Sequence, residues 1–86
     1  MLVKKVRRSI RVVKSNMKEE YIRNFDKTII GIIQTDAEGN QTGRLFNSRK
    51  IVGYYNAKDN RTRNFMLQIV SEGNTLVNLI YEELNR

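Results

Sequence analysis

One pattern recurs three times in this chain, and it restricts the fold more than any other feature. Arg23-Asn24-Phe25 is followed by Ile29-Ile30-Gly31, Arg44-Leu45-Phe46 by Ile51-Val52-Gly53, and Arg63-Asn64-Phe65 by Ile69-Val70-Ser71. The Phe residues lie 21 and 19 positions apart. Asp26 and Asn47, directly after the first two Phe, are residue types that tolerate left-handed backbone and bond their own main chain, so they favour turns. Each unit therefore reads as a β-hairpin: a strand ending near Phe, a tight turn, then a strand that carries the aliphatic pair. Glycine weakens a strand interior, so Gly31 and Gly53 at matched positions imply a bulge, a sharp bend or the close approach of another backbone. In the third copy Met66-Leu67 replaces polar turn residues and Ser71 replaces the glycine.

The flanks read differently. Val3, Val6, Ile10, Val13 and Met17 follow alternating spacings of three and four, which places them on one stripe of a helix. Lys4, Arg7, Arg8, Arg11, Lys14 and Lys18 fall on the other side. This predicts a basic amphipathic helix over residues 1–20, with a strand across Ser9–Val13 as the rival reading because β-branched residues disfavour helix. After Gly73, the positions Leu76, Val77, Leu79, Ile80 and Leu84 return to helical spacing, with Asn74 or Thr75 as cap. The expectation is a single α+β domain: a helix over 1–20, about six short antiparallel strands as three hairpins over 21–73, and a helix over 74–86.

The hairpin unit, with Phe25-Asp26…Ile30-Gly31 and Phe46-Asn47…Val52-Gly53, resembles the short repeats of the small bacterial proteins called four-fold β-flower proteins. The resemblance covers Tyr21 to Ile80. It implies repeated hairpins, a bacterial or phage origin and no established activity. This chain has three copies, no Trp, and added segments at both ends.

Composition removes whole classes of chemistry. There is no His, Cys, Pro or Trp among the 86 residues. Thiolate nucleophiles, disulfides, Cys/His zinc sites and histidine-based triads are excluded. No run reaches the ~18 apolar residues of a membrane span. Lack of cysteine is compatible with a reducing, cytoplasmic compartment. Asp26, Asp36, Glu38 and Asp59 fall in predicted turns, where Asp is expected for backbone reasons, and Glu19-Glu20 and Glu82-Glu83 fall on predicted helix surfaces. Nothing brings two carboxylates together for acid/base work or metal binding. Gly39-Asn40-Gln41-Thr42-Gly43 lacks the pattern of a phosphate-binding loop. No cofactor and no enzymatic activity are expected.

The net charge of +7 is concentrated. Residues 1–23 hold eight Lys/Arg against two Glu, and residues 44–63 hold six against one Asp. A polyanion, chiefly nucleic acid, is the expected ligand. Lys4, Lys5, Arg7, Arg8, Arg11, Lys14 and Lys18 would supply one contact surface, and Arg44, Arg49, Lys50, Lys58, Arg61 and Arg63 the other. Of Tyr54 and Tyr55, strand alternation turns one outward, where it could stack on a base. Arg23, Arg44 and Arg63 occupy one position in each repeat; they converge on an anion if the hairpins radiate and stay apart if they splay. Alternatives are an adaptor or inhibitor, bacterial or phage-encoded, that binds an acidic partner protein, and a basic helix lying on anionic lipid, weakly for want of Trp and Phe. The two apolar stripes also suggest a homodimer.

Overall fold

Each Arg-x-Phe unit closes on itself as a hairpin. The computed structural model describes residues 7–14 as backbone and residues 17–85 in full. Its elements are β1 (Arg7–Lys14), β2 (Met17–Arg23), β3 (Ile29–Thr35), β4 (Gln41–Leu45), β5 (Ile51–Asn56), β6 (Arg61–Asn64), β7 (Ile69–Glu72) and α1 (Leu76–Leu84). The strands form one antiparallel sheet in which every strand pairs with its sequence neighbour, from β1 at one edge to β7 at the other. The three repeats are the hairpins β2–β3, β4–β5 and β6–β7.

The repeated aliphatic pair is where each ladder slips. Arg23 faces Ile29 while Ile22 faces Gly31, so Ile30 is an extra residue. Arg44 faces Ile51 while Gly43 faces Gly53, which makes Val52 extra. Arg63 faces Ile69 while Thr62 faces Ser71, which makes Val70 extra. A bulge of this kind re-aims one side chain. Here Ile30 and Val52 join Ile22, Ile33, Leu76 and Ile80 in the core between sheet and helix.

The turns are also built on one plan. In the first hairpin Lys27 N–H donates to Asn24 C=O (2.8 Å) and Asn24 N–H to Thr28 C=O (2.8 Å). In the third, Leu67 donates to Asn64 (2.8 Å) and Asn64 to Gln68 (2.9 Å). Lys27 and Leu67 both take positive φ, at 73° and 68°. A tight turn followed by a left-handed residue matches the twist of the flanking strands. Arg23 Nη1 and Arg44 Nη1 each donate to the carbonyl of the left-handed residue of their own hairpin, Lys27 and Arg49, at 3.2 Å.

The C-terminal helix forms where the spacing places it. Thr75 takes the N-cap position, Leu76 N–H donates to Asn74 Oδ1, and Thr75 N–H donates to the buried Thr62 hydroxyl. The helix lies across β3, β4 and β5 and buries Leu76 and Ile80.

The helix expected over 1–20 is not what the described part of that segment forms. Residues 7–14 and 17–20 are extended, in β1 and β2; residues 1–6, 15 and 16 lie outside the described residues. The strand wins for two reasons. The β-branched Ile10, Val12 and Val13 suit a pleated surface better than a helix. Pairing of β2 with β3 also gives residues 18–20 ladder partners in Thr35, Gln34 and Ile33, which a helix over 1–20 would forgo. The described part of the stripe, Ile10, Val13 and Met17, fits a helical wheel only by coincidence of spacing, and the helix-stripe argument for a homodimer lapses with it. Glu19-Glu20 accordingly sits on a strand. The six strands expected as three hairpins are β2 to β7, and among the described residues β1 adds a seventh at the edge.

The glycines mark close approach. A Cβ on Gly53 would stand 2.5 Å from the Arg63 carbonyl oxygen and 2.6 Å from Leu79 Cδ1. On Gly31 it would meet two Ile80 methyl carbons at 2.8 Å, and on Gly43 nothing nearer than 3.3 Å. Backbone cannot yield as a side chain can. Gly53→Ala should therefore cost the most, about 1–3 kcal/mol, with Gly31→Ala below it and Gly43→Ala least. Urea unfolding midpoints of the three variants test that order.

Candidate nucleic-acid interface

With α1 on one face of the sheet, no helix among the described residues covers the other, where Ile32 alone is buried among its neighbours. Strand register assigns residues to it. Glu19, Gln34, Thr42, Tyr54 and Arg63 form one cross-strand row from β2 to β6, and Tyr21, Ile32 and Arg44 form the next. Side chains two apart share a face, so Arg61 and Asn56 belong to it too.

Hydrogen bonds tie this face together laterally. Tyr21 Oη donates to Glu19 (3.1 Å), Gln34 Nε2 donates to the other Glu19 oxygen (3.1 Å), and Arg44 Nε donates to Gln34 Oε1 (3.1 Å). Tyr21 meets Phe46 edge-on, with centroids 6.3 Å apart, and the Arg49 guanidinium lies 4.9 Å from the Phe46 centroid. At the centre is an open groove of about 450 Å³, whose walls include Met17, Gln34, Thr42, Tyr54, Arg63 and Leu67. Groove, aromatic ring and guanidinium thus meet on a face that the fold leaves uncovered.

The two tyrosines separate as alternation requires. Tyr54 sits in the open-face row, whereas Tyr55 packs against the core and donates from its hydroxyl to Asn60 Oδ1 (2.6 Å). The groove touches both.

The cations of 44–63 do not act as one patch. Arg44, Arg61 and Arg63 belong to the open face. Lys50 is on the helix side, 2.8 Å from Glu83 and 5.9 Å from the Phe65 centroid. Arg49 covers Phe46 at a hairpin tip, and Lys58 occupies the turn between β5 and β6, at the opposite end of the strands. Of the first basic stretch, Lys18 lies on β2; Arg7, Arg8, Arg11 and Lys14 are described as backbone on β1, and Lys4 and Lys5 lie outside the described residues. Arg23, Arg44 and Arg63 lie at bulges on successive hairpins. The first two bond their own turns and the third bonds Asp59.

The carboxylates mostly serve turns. Asp36 Oδ1 accepts from the Glu38 and Asn40 N–H groups, and Asp26 Oδ1 accepts from Thr28 N–H, the main cause that holds Asp26 below the usual carboxylate range. Among the described residues no His/Cys/Asp/Glu group is placed to hold a metal ion, and no helix is long and apolar enough to cross a membrane. Sequence reading missed Gln34, Thr42 and Glu19 as members of the open face; only the register, which pairs them with Tyr54 and Arg63, could have found them.

Compared with known proteins, the chain matches no family model, no curated protein and no solved structure.

Asp59 is the group that titrates against this face. The hydrogen bond from Arg63 Nη2 (2.8 Å) is the largest cause holding its carboxyl below the ordinary value, and burial opposes it. A folded-state pKa below the unfolded one means that the pairing contributes stability above the unfolded value, about pH 4, and loses it as pH falls through the folded value. Asp59→Asn should therefore lower stability slightly at neutral pH, match the wild-type once pH falls below the folded value, and so flatten the acid limb below about pH 4. Urea midpoints taken across the acid range check this.

Proposed function

We propose that the protein is a non-enzymatic binding protein for single-stranded nucleic acid, held on the open face of the sheet. The observation that carries this reading is Tyr54, set in the groove between Thr42 and Arg63 in one cross-strand row. Tyr54 is half-buried at the groove, and an aromatic ring on a sheet face can stack a base of any sequence while flanking guanidiniums take its phosphates. Arg44 suits the second task. Its hydrogen bonds go to an amide oxygen and a carbonyl, both neutral, so its positive charge is left for an anion. Arg63 is held by Asp59, on an exposed pair that contributes little and can exchange for phosphate. The basic residues of β1 and β2, including Arg7, Arg8, Arg11, Lys14 and Lys18, extend the positive charge toward the other edge and add salt-sensitive attraction. The ligand class is the one expected from charge, and its binding centre moves from an N-terminal helix to the sheet.

Fluorescence anisotropy with a labelled oligothymidylate tests it. Tyr54→Ala should weaken binding by about 10-fold, the usual worth of one stacked base, with circular dichroism unchanged. Arg44→Glu together with Arg63→Glu should lower affinity further and flatten its dependence on salt. Asp59→Asn should raise affinity by releasing Arg63. Binding that is indifferent to Tyr54 and to both arginines would refute the assignment of this face.

A further inference from the structure

The third repeat leaves its apolar residues outside. Phe65 is 52% exposed, Met66 59%, Leu67 64%, Ile69 50% and Val70 46%. Among the described residues the chain has seven buried hydrophobic residues and seven exposed large ones, and five of the latter fall in this one hairpin. They flank both faces of β7. Leu67 lines the open-face groove and Ile69 is in register with Arg63, whereas Phe65 and Met66 border a helix-side hollow with Leu79. β7 is the last strand of the sheet. An apolar edge strand of this kind is a template for another strand, and proteins that keep to themselves blunt it with Lys or Pro; residues 64–72 contain neither.

We infer that β7 pairs antiparallel with β7 of a second copy of this chain, continuing the sheet across a two-fold axis. Charge selects the occupant. The chain carries +7, so two copies repel each other over their basic faces. Residues 64–72 hold no Lys or Arg and a single Glu, so copies can meet here. An acidic partner would be drawn instead to the basic stretches. The two-fold arrangement also keeps like charges apart, because antiparallel pairing sets Glu72 at opposite ends of the joined strands. The area suffices: the hairpin exposes on the order of several hundred Å² of apolar surface, and symmetry doubles it toward the ~1,000 Å² of a specific interface. Need matches opportunity, since a core this small gains from association. Leu67 adds a local reason. It occupies a left-handed position, costly for a branched side chain, that Lys27 fills in the first hairpin.

Sedimentation equilibrium of the full chain tests this. The wild-type should show twice the mass of the chain, with β7 amides protected from hydrogen exchange. Val70→Lys should sediment as a single chain with its circular dichroism intact. Met66→Lys, at an exposed turn position outside the groove, is the second variant and should weaken association without touching the fold. A wild-type that remains a single chain at millimolar concentration overturns the inference. So does a dimer of unchanged affinity in both lysine variants.

Discussion

The contact between α1 and the glycine-bearing middle of the sheet sets the rest of the structure. A meander of short strands has two faces and needs something to cover one of them. A nine-residue helix is all this chain supplies. It must come close to bury anything, and side chains at Gly31 and Gly53 would hold it off by their collisions with Ile80 and Leu79. The bulges at Ile30 and Val52 work in the same direction. Each brings an additional aliphatic side chain into the core that Leu76 and Ile80 complete. Glycine and bulge therefore act as one device: the first lowers the sheet surface beneath the helix, and the second fills the space around it.

That device also decides which residues are free to meet a ligand. Once the helix has claimed one face, strand parity commits Tyr54, Arg44 and Arg63 to the other, where no element of the described chain covers them. The repeat arginines illustrate the consequence. Their shared position, opposite the first residue of each aliphatic pair, first serves the hairpin: Arg23 and Arg44 tie off the left-handed turn residue. The charge of Arg44 is not spent in doing so, because its partners, an amide oxygen and a carbonyl, are both neutral. One residue can thus organise a turn and still present a cation.

Much of this was legible in the sequence. Arg23, Phe25 and the Ile29-Ile30-Gly31 triplet, read against their two counterparts, revealed three hairpins, and the spacing of Leu76 and Ile80 revealed the last helix. Gly53 was recognisable as a place of close approach before the neighbours, Arg63 and Leu79, were known. The N-terminal segment was misread because Val6, Ile10, Val13 and Met17 fit a helical stripe, while the rival strand depended on pairing with residues far along the chain. Local periodicity carries no information about such pairing. The open face was half visible: Tyr54 and Arg63 could be suspected singly, but their place in one row with Glu19, Gln34 and Thr42 comes only from register. Summing charge over residues 44–63 was misleading for a related reason. Strand alternation and turns send Lys50 to the helix side, Lys58 to a loop and Arg63 to the groove.

In the third repeat the device is incomplete. α1 packs mainly over β3, β4 and β5. Ser71 stands where the other copies have glycine, and it meets the helix only at its N-cap, through a hydroxyl contact with Thr75 (2.6 Å). The same bulge that buries Ile30 and Val52 leaves Val70 nearly half exposed. The loss of the glycine and the exposure of the aliphatic pair are therefore one event: a hairpin that its own helix does not cover has no use for a low surface. Its turn has changed in step, with Met66 and Leu67 where the first hairpin has Asp26 and Lys27. A purely solvent-facing hairpin would favour the charged pair. Apolar residues on both faces of an open edge fit a strand with a neighbour beyond it, and a second copy brings the one neighbour whose matching patch is also free of positive charge.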